Sequence, residues 1–470
     1  MSRKNSIQCG LVLAMLLVAA FPALAARGEA DFTRYVALGD SYGAGVSNGS
    51  VVVSHQMWSY PSVIARQVGI PVCGADPGCI GFQQPLVSQP GIGPELVLQS
   101  ISPLVIGPKA AQSGSPINLM LQRPYNNLSV PGFRVGNLLT TTGAEQGSGA
   151  AQFILRGQAP AVHQALALNP TFISLWIGGN DVLGGVLAAD PAVMTPIEAF
   201  RTSYAQVLDT LIAGAPNAGM VTGTISNPIL IPFATTVPPV LVNPATNQPV
   251  LGPDGLPIFF IADLGGGQIG QLTPGSLVTL SATPFLATGY GIPPQLAPMF
   301  PQLPDAGKPL PAGVVITTTE AAAIVARANE VNDAIREIAG ARDIPVVEFD
   351  ELFSDILAGI NFAGIALDAS FITGGIFSLD GFHLTDIGYT LFANELIETI
   401  NDAYGTEIPF ASILPFFANN APREEYGFTP PLQSFVFTGG AALNSLLQVG
   451  TPDEGEADDP PPARRRATRR

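Results

Sequence analysis

Short apolar runs that stop at glycine or proline alternate, along this chain, with longer stretches whose apolar residues recur every three or four positions. Residues 35–39 (YVALG) read as a strand, and helical spacing follows near 57–68. Residues 172–179 (FISLWIGG) form a second continuous apolar run ended by glycines. The stretch 196–216 has helical spacing and stops at Gly/Pro, and 219–226 (GMVTGTIS) again reads as a strand. A long helix fits 318–342, with 344–352 (IPVVEFDEL) as the strand after it. Strands separated by helix-sized connections pair in parallel, because each return crossover needs that length. The pattern predicts an α/β sandwich.

Two regions break the alternation. Residues 73–124 and 226–313 are dense in Pro and Gly without sustained periodicity, and are too long for ordinary connections. They read as insertions lying over a core domain that spans about 32–405. Beyond it, 406–450 form a mixed apolar extension. Residues 451–470 (TPDEGEADDPPPARRRATRR) join an acidic block to an arginine block, a composition expected to stay disordered. At the other end, a basic start and a short apolar stretch lead to an Ala-x-Ala ending at Ala25. Residues 1–25 therefore read as a signal peptide, and the protein as exported to a periplasm or beyond. The apolar run is too short for a membrane span and Pro22 interrupts it, so no transmembrane segment is expected in the mature chain.

Composition adds three constraints. Among 470 residues, Gly 51 and Pro 44 are both high, which assigns much of the chain to loops. The formal net charge is −16; losing Arg3 and Lys4 with the signal leaves 18 basic residues against 36 acidic ones. A surface that acidic repels phosphate backbones, so nucleic acid is not an expected partner. Cys9 leaves with the signal, while Cys73 and Cys79 bracket a Gly/Pro turn in "CGADPGC". In an exported chain that pair favours a disulfide. A zinc site is the weaker alternative, since two ligands are too few unless His55 approaches in space.

Three strings carry candidate chemistry. "VALGDSYGAG" (36–45) ends a buried-looking strand on Asp40 and Ser41 between glycines. It also satisfies Gly-x-Ser-x-Gly, the nucleophile elbow of α/β-hydrolases, but that elbow follows several strands and here only one can precede Ser41. "WIGGND" (176–181) delivers Asn180 and Asp181 beyond two glycines, which permit a sharp turn and close backbone approach. "SLDGFHLTDIGY" (378–389) sets Asp380 three residues before His383, ahead of an apolar helical run. That spacing lets a carboxylate fix the tautomer and orientation of an imidazole; a plain helix cap at Thr385 or Asp386, with His383 merely exposed, is the bland reading. Between them, Pro131-Gly132 in "NNLSVPGFRVGNLL" marks a turn. His163 sits in a helical pattern and reads as surface or packing. His55 reads as structural, with substrate contact the alternative.

Taken in order, Gly39-Asp40-Ser41, Gly132, Gly178-Gly179-Asn180-Asp181 and Asp380-x-x-His383 resemble the blocks of the SGNH hydrolases, or GDSL lipases and esterases. Tyr42 stands where leucine is more usual, and the second block is the loosest, with Gly136 competing for the role of Gly132. The resemblance covers about 34–404 apart from the insertions. It implies Ser41 as nucleophile, His383 as general base and Asp380 as the residue orienting it. It also implies an oxyanion hole from the Ser41 and Gly132 backbone N–H groups and the Asn180 amide, with Asp40 and Asp181 bracing the loops. The implied fold is a flavodoxin-like three-layer α/β/α sandwich with strand order 2-1-3-4-5. Ser41, Gly132 and Asn180 would then meet where that order reverses, the usual ligand crevice.

These features imply hydrolysis of carboxylic esters through an acyl-enzyme, with no metal or other cofactor. The substrate would be a small-molecule or lipid ester. The apolar strings 225–233 (ISNPILIPF) and 256–264 (LPIFFIADL) could line an acyl groove, form a lid, or simply pack the insertion onto the core. A carbohydrate O-deacetylase on the same machinery is the nearest alternative, and a non-catalytic surface binder a remoter one.

Overall fold

The protein is described by a computed structural model covering residues 29–417 apart from 77, 102, 103, 148, 244, 245, 247 and 363. The expected signal peptide, the tail at 451–470 and most of the 406–450 extension lie outside the described residues. Four parallel strands form the central sheet: β1 (Tyr35–Gly39), β2 (Phe172–Trp176), β3 (Gly219–Gly223) and β4 (Val346–Val347), in that spatial order. All pairings are parallel and in simple register, Tyr35 opposite Phe172 and Phe172 opposite Gly219. β1 and β2 are buried along their whole length, as expected of a sheet covered on both faces.

On the free side of β1 runs residues 126–130, hydrogen-bonded parallel to it: Ala37 donates to the Asn126 carbonyl, and Leu128 and Val130 donate to Ala37 and Gly39. This segment occupies the place of the second strand in the 2-1-3-4-5 order. It stays irregular because Asn126 and Asn127 spend their side chains on the Tyr35 and Gly43 carbonyls, and Pro131 then stops it.

The helices make the outer layers. On one face α1 (Tyr60–Gln67) packs against α7 (Asp386–Tyr404), which also meets α6 (Phe349–Ala358). On the other, α4 (Ile197–Gly214) packs between α2 (Ala161–Ala167) and α5 (Thr318–Gly340), and α3 (Gly179–Leu187) meets α5. α5 begins in a capping box, Thr317 with Glu320, so its start was written in the chain. The expected strand over 344–352 is a correction: only Val346–Val347 pair, and the chain turns helical at Phe349. Phe349, Phe353 and Ile356 repeat at helical spacing and bury one face, which outweighs the strand-like start.

Cys73 and Cys79 form a disulfide. The insertion 226–313 contains short antiparallel pairs and a separate small core around Phe260, Ala262, Leu272, Val278 and Leu310. Of its two apolar strings, 256–264 packs into that core through Phe260 and Ala262, while Ile225, Ile231 and Phe233 of the other join the main core.

Candidate active site

β1 ends at Gly39, and Asp40 caps a single helical turn, Ser41–Ala44, by accepting the Tyr42 N–H at 3.0 Å. Ser41 is thus the first residue of that turn, at the C-terminal edge of the sheet. Gly43 is required there for space: a Cβ would meet the Ser129 hydroxyl at 2.1 Å. β2 ends at Trp176, and Gly178 takes φ +120° before α3, placing Asn180 and Asp181 in its first turn. That φ lies outside the regions open to side-chain-bearing residues, which accounts for the glycine.

Gly132 sits at φ +82° two residues beyond the segment beside β1, with open space where a side chain would project. Gly136, its competitor, instead precedes the turn Asn137–Thr140 and faces the Ser203 hydroxyl. The Asn180 amide donates to the Phe133 carbonyl at 3.1 Å, tying the Gly132 loop to α3. One of its two N–H bonds is used there, leaving the other for a ligand. Asp181 fastens the same loop by accepting the Val135 N–H at 3.0 Å. Burial pushes the carboxyl pKa of Asp181 upward and that of Asp40 up to about 7.

His383 and Asp380 form a closed pair. The His383 Nδ1 lies 2.8 Å from Asp380 Oδ2, and Asp380 Oδ1 accepts the Phe382 and His383 N–H groups at 3.0 and 2.8 Å. Burial would raise the Asp380 pKa, but the His383 ring and these N–H donors prevail and hold it near 2. Asp380 is therefore an anion at neutral pH. A helix cap is present as well, since Thr385 accepts the Gly388 N–H at the start of α7, but His383 is buried rather than merely exposed. Capping and pairing coexist because they use different residues.

Tyr42 joins the serine turn to this loop. Its hydroxyl donates to the Phe382 carbonyl at 2.8 Å, its ring meets the His383 ring edge-on at 6.0 Å, and its face stacks on Trp176. Trp176 in turn stacks on Phe349. An aromatic column thus supports the residues on either side of Ser41 and His383.

Beside these groups lies a narrow cavity lined by Asp40, Tyr42, Trp176, Gly179, Leu183, Ile225, Ser226, Pro228, Ile231 and Phe382. Four of its lining residues are immediate neighbours of Ser41, Asn180 or His383. It offers about 30 Å³ of water-accessible space, room for about two waters. Asn332 of α5 grips its rim, accepting the Ile225 N–H at 2.8 Å and donating to the Ile225 carbonyl at 2.9 Å.

His55 lies buried on the short turn Val53–Gln56, its Nδ1 2.8 Å from Asp386 Oδ1 and its Nε2 3.0 Å from Glu95 Oε1. The expected disulfide partners of the zinc alternative bond each other instead. His163 is exposed on α2. Sequence reasoning missed Asn48 and Gly49, which touch the Asp380 loop; the signal was the Asn-Gly pair itself, the strongest short hairpin cue.

Over residues 35–396 the chain matches the family model of GDSL-like lipases and acylhydrolases. Among curated proteins none matches it significantly. Solved structures that resemble it include an extracellular lipase from Streptomyces rimosus, at 15% identity over 78% of this chain and 98% of that one, TM-score 0.32. A family 3 carbohydrate esterase from Clostridium thermocellum aligns at 13% identity over 79% and 96%, TM-score 0.32. A phospholipase A1 from Streptomyces albidoflavus aligns at 14% over 80% and 100%, TM-score 0.31.

Proposed function

The chain belongs to the GDSL-like lipase/acylhydrolase family, and from that premise we propose that it is an exported serine hydrolase cleaving carboxylic esters through an acyl-enzyme on Ser41. The observation that carries this reading is the 2.8 Å bond from the His383 ring to the ionised Asp380, on a loop that Tyr42 fastens to the serine turn. A serine hydroxyl is a weak nucleophile until a base removes its proton as it attacks. With Nδ1 committed to Asp380, the Nε2 of His383 is the base that remains.

In the proposed sequence, Ser41 Oγ bonds to the ester carbonyl carbon while its proton passes to His383. The carbonyl oxygen, now negative, is met by the Ser41 and Gly132 N–H groups and the free amide N–H of Asn180; one such donor is worth roughly 2.7–4 kcal/mol in a preorganised site. His383 returns the proton to the departing alkoxide, releasing alcohol. Water then attacks the acyl-enzyme by the same proton relay and releases the carboxylic acid. The mechanism asks for no metal or cofactor.

The apolar cavity beside the site supports an acyl group as its occupant, and its small volume favours short chains. That same narrowness supports the second reading, a carbohydrate O-deacetylase. Initial rates on p-nitrophenyl esters from acetate to palmitate separate the two. Esterase action predicts butyrate above acetate, octanoate and palmitate, with Ser41→Ala losing nearly all turnover while the circular dichroism is unchanged. Activity on acetate alone favours the deacetylase; undiminished turnover in Ser41→Ala refutes the nucleophile.

A further inference from the structure

Ser47–Ser50 closes on itself through two backbone hydrogen bonds of 3.1 and 3.0 Å, with Asn48 at φ +51° and Gly49 at φ +67° between them. Two successive left-handed residues make the tight turn that Asn-Gly pairs favour. Its tip is partly open to solvent, Asn48 half-buried and Gly49 exposed, yet it also meets the Asp380 loop. The Gly49 N–H donates to Asp380 Oδ2 at 2.7 Å, the oxygen that also holds the His383 ring. The Asn48 N–H donates to the Ser378 hydroxyl at 2.9 Å, and that hydroxyl donates to Asp380 Oδ1 at 3.1 Å. The Asn48 side-chain carbonyl accepts the Leu379 N–H at 3.0 Å. Residues 378–380 are thus bracketed by one two-residue turn.

The turn has its own anchor. The Asn48 amide donates to Glu95 Oε1 at 3.2 Å, and Glu95 is held by Lys109 at 3.1 Å and by His55, whose other nitrogen meets Asp386 in the first turn of α7. Asp386 is only three residues beyond His383. The ring of contacts therefore leaves the Asp380 loop at one end and returns to it at the other.

We infer that Asn48 is a positioning residue for ester hydrolysis: with the Asn48–Gly49 turn it fixes the plane of the Asp380 carboxylate, and so the His383 ring. Oδ1 takes its donors from within the loop, the Ser378 hydroxyl and the Phe382 and His383 N–H groups. The turn adds the Gly49 N–H on Oδ2 from a separate segment and holds Ser378 and Leu379 in place, which leaves the carboxylate one orientation. The inference rests on the proposed roles of Asp380 and His383, and its test keeps the two apart.

The variant is Asn48→Gly, because glycine accepts the left-handed backbone and removes only the amide. On p-nitrophenyl butyrate, kcat falls about tenfold or more while KM stays within about twofold, since the acyl cavity is untouched. Repeated on an Asp380→Asn background, the same substitution adds nothing further. Wild-type kcat, a change confined to KM, or a loss that persists in full beside Asp380→Asn overturns the inference. Wild-type kcat in Asp380→Asn alone overturns the reading beneath it as well. Ser378→Ala, which removes the hydroxyl between the Asn48 backbone N–H and Asp380 Oδ1, a link that Asn48→Gly leaves intact, is expected to show the same pattern and serves if Asn48→Gly does not fold.

Discussion

At the scale of single residues, His55 is the most heavily loaded side chain outside the proposed mechanism. Burial opposes its charge, yet Asp386 and Glu95 on either side outweigh that penalty and raise its pKa to about 10. Glu95, between His55 and Lys109, is correspondingly held near 2 against its own burial. A histidine that binds its proton more tightly when folded stabilises the protein fully below its unfolded value near 6.5, and that stabilisation is lost as pH rises towards 10. The unfolding free energy is therefore expected to decline from pH 7 to 10. His55→Gln removes the decline and costs about 3 kcal/mol at pH 6, the usual scale for breaking a buried pair. Urea melts at pH 6, 8 and 10 check this; a pH-independent difference between the two proteins contradicts it. Neither partner was legible in the chain, because Glu95 and Asp386 lie 40 and 331 positions away from His55. Asp380 and His383, by contrast, lie within one turn of each other, and their pairing could be read directly.

Elements show the same division between local and distant causes. β1, β2 and β3 were legible because each is a bounded apolar run buried on both faces. β4 was drawn too long, and the segment beside β1 was visible only as a turn, since its asparagines serve distant carbonyls rather than a strand pattern. The loop after β3 is where element and specificity meet. Of the two apolar strings in that insertion, the one beginning at Ile225 borders the cavity, while the other packs locally around Phe260. Leu183 of α3 closes the cavity from the opposite side and is only partly buried. Leu183→Ala is expected to raise the octanoate-to-butyrate rate ratio several-fold, to about tenfold, because each methylene admitted to an apolar pocket contributes about 1–3 kcal/mol. An unchanged ratio would mean that the acyl chain lies elsewhere.

Across the whole molecule, four loops from distant parts of the chain are brought to one edge of a parallel sheet. Ser41 follows β1, Gly132 follows the segment beside it, and Asn180 follows β2, so sheet order alone makes these three neighbours. His383 arrives separately, after α6 and a small hairpin, and is tied in by Tyr42, Asn48 and Gly49. That last attachment depends on side-chain bonds between remote segments, which no periodicity announces. The proposed ester hydrolysis therefore depends on Ser41 being activated at this meeting point. The direct measurement is labelling with a fluorophosphonate, followed by peptide mass spectrometry. We predict one adduct, on the peptide carrying Ser41, formed far more slowly in His383→Ala. An adduct on another serine, or an esterase that hydrolyses its substrate with Ser41 unlabelled, would contradict it.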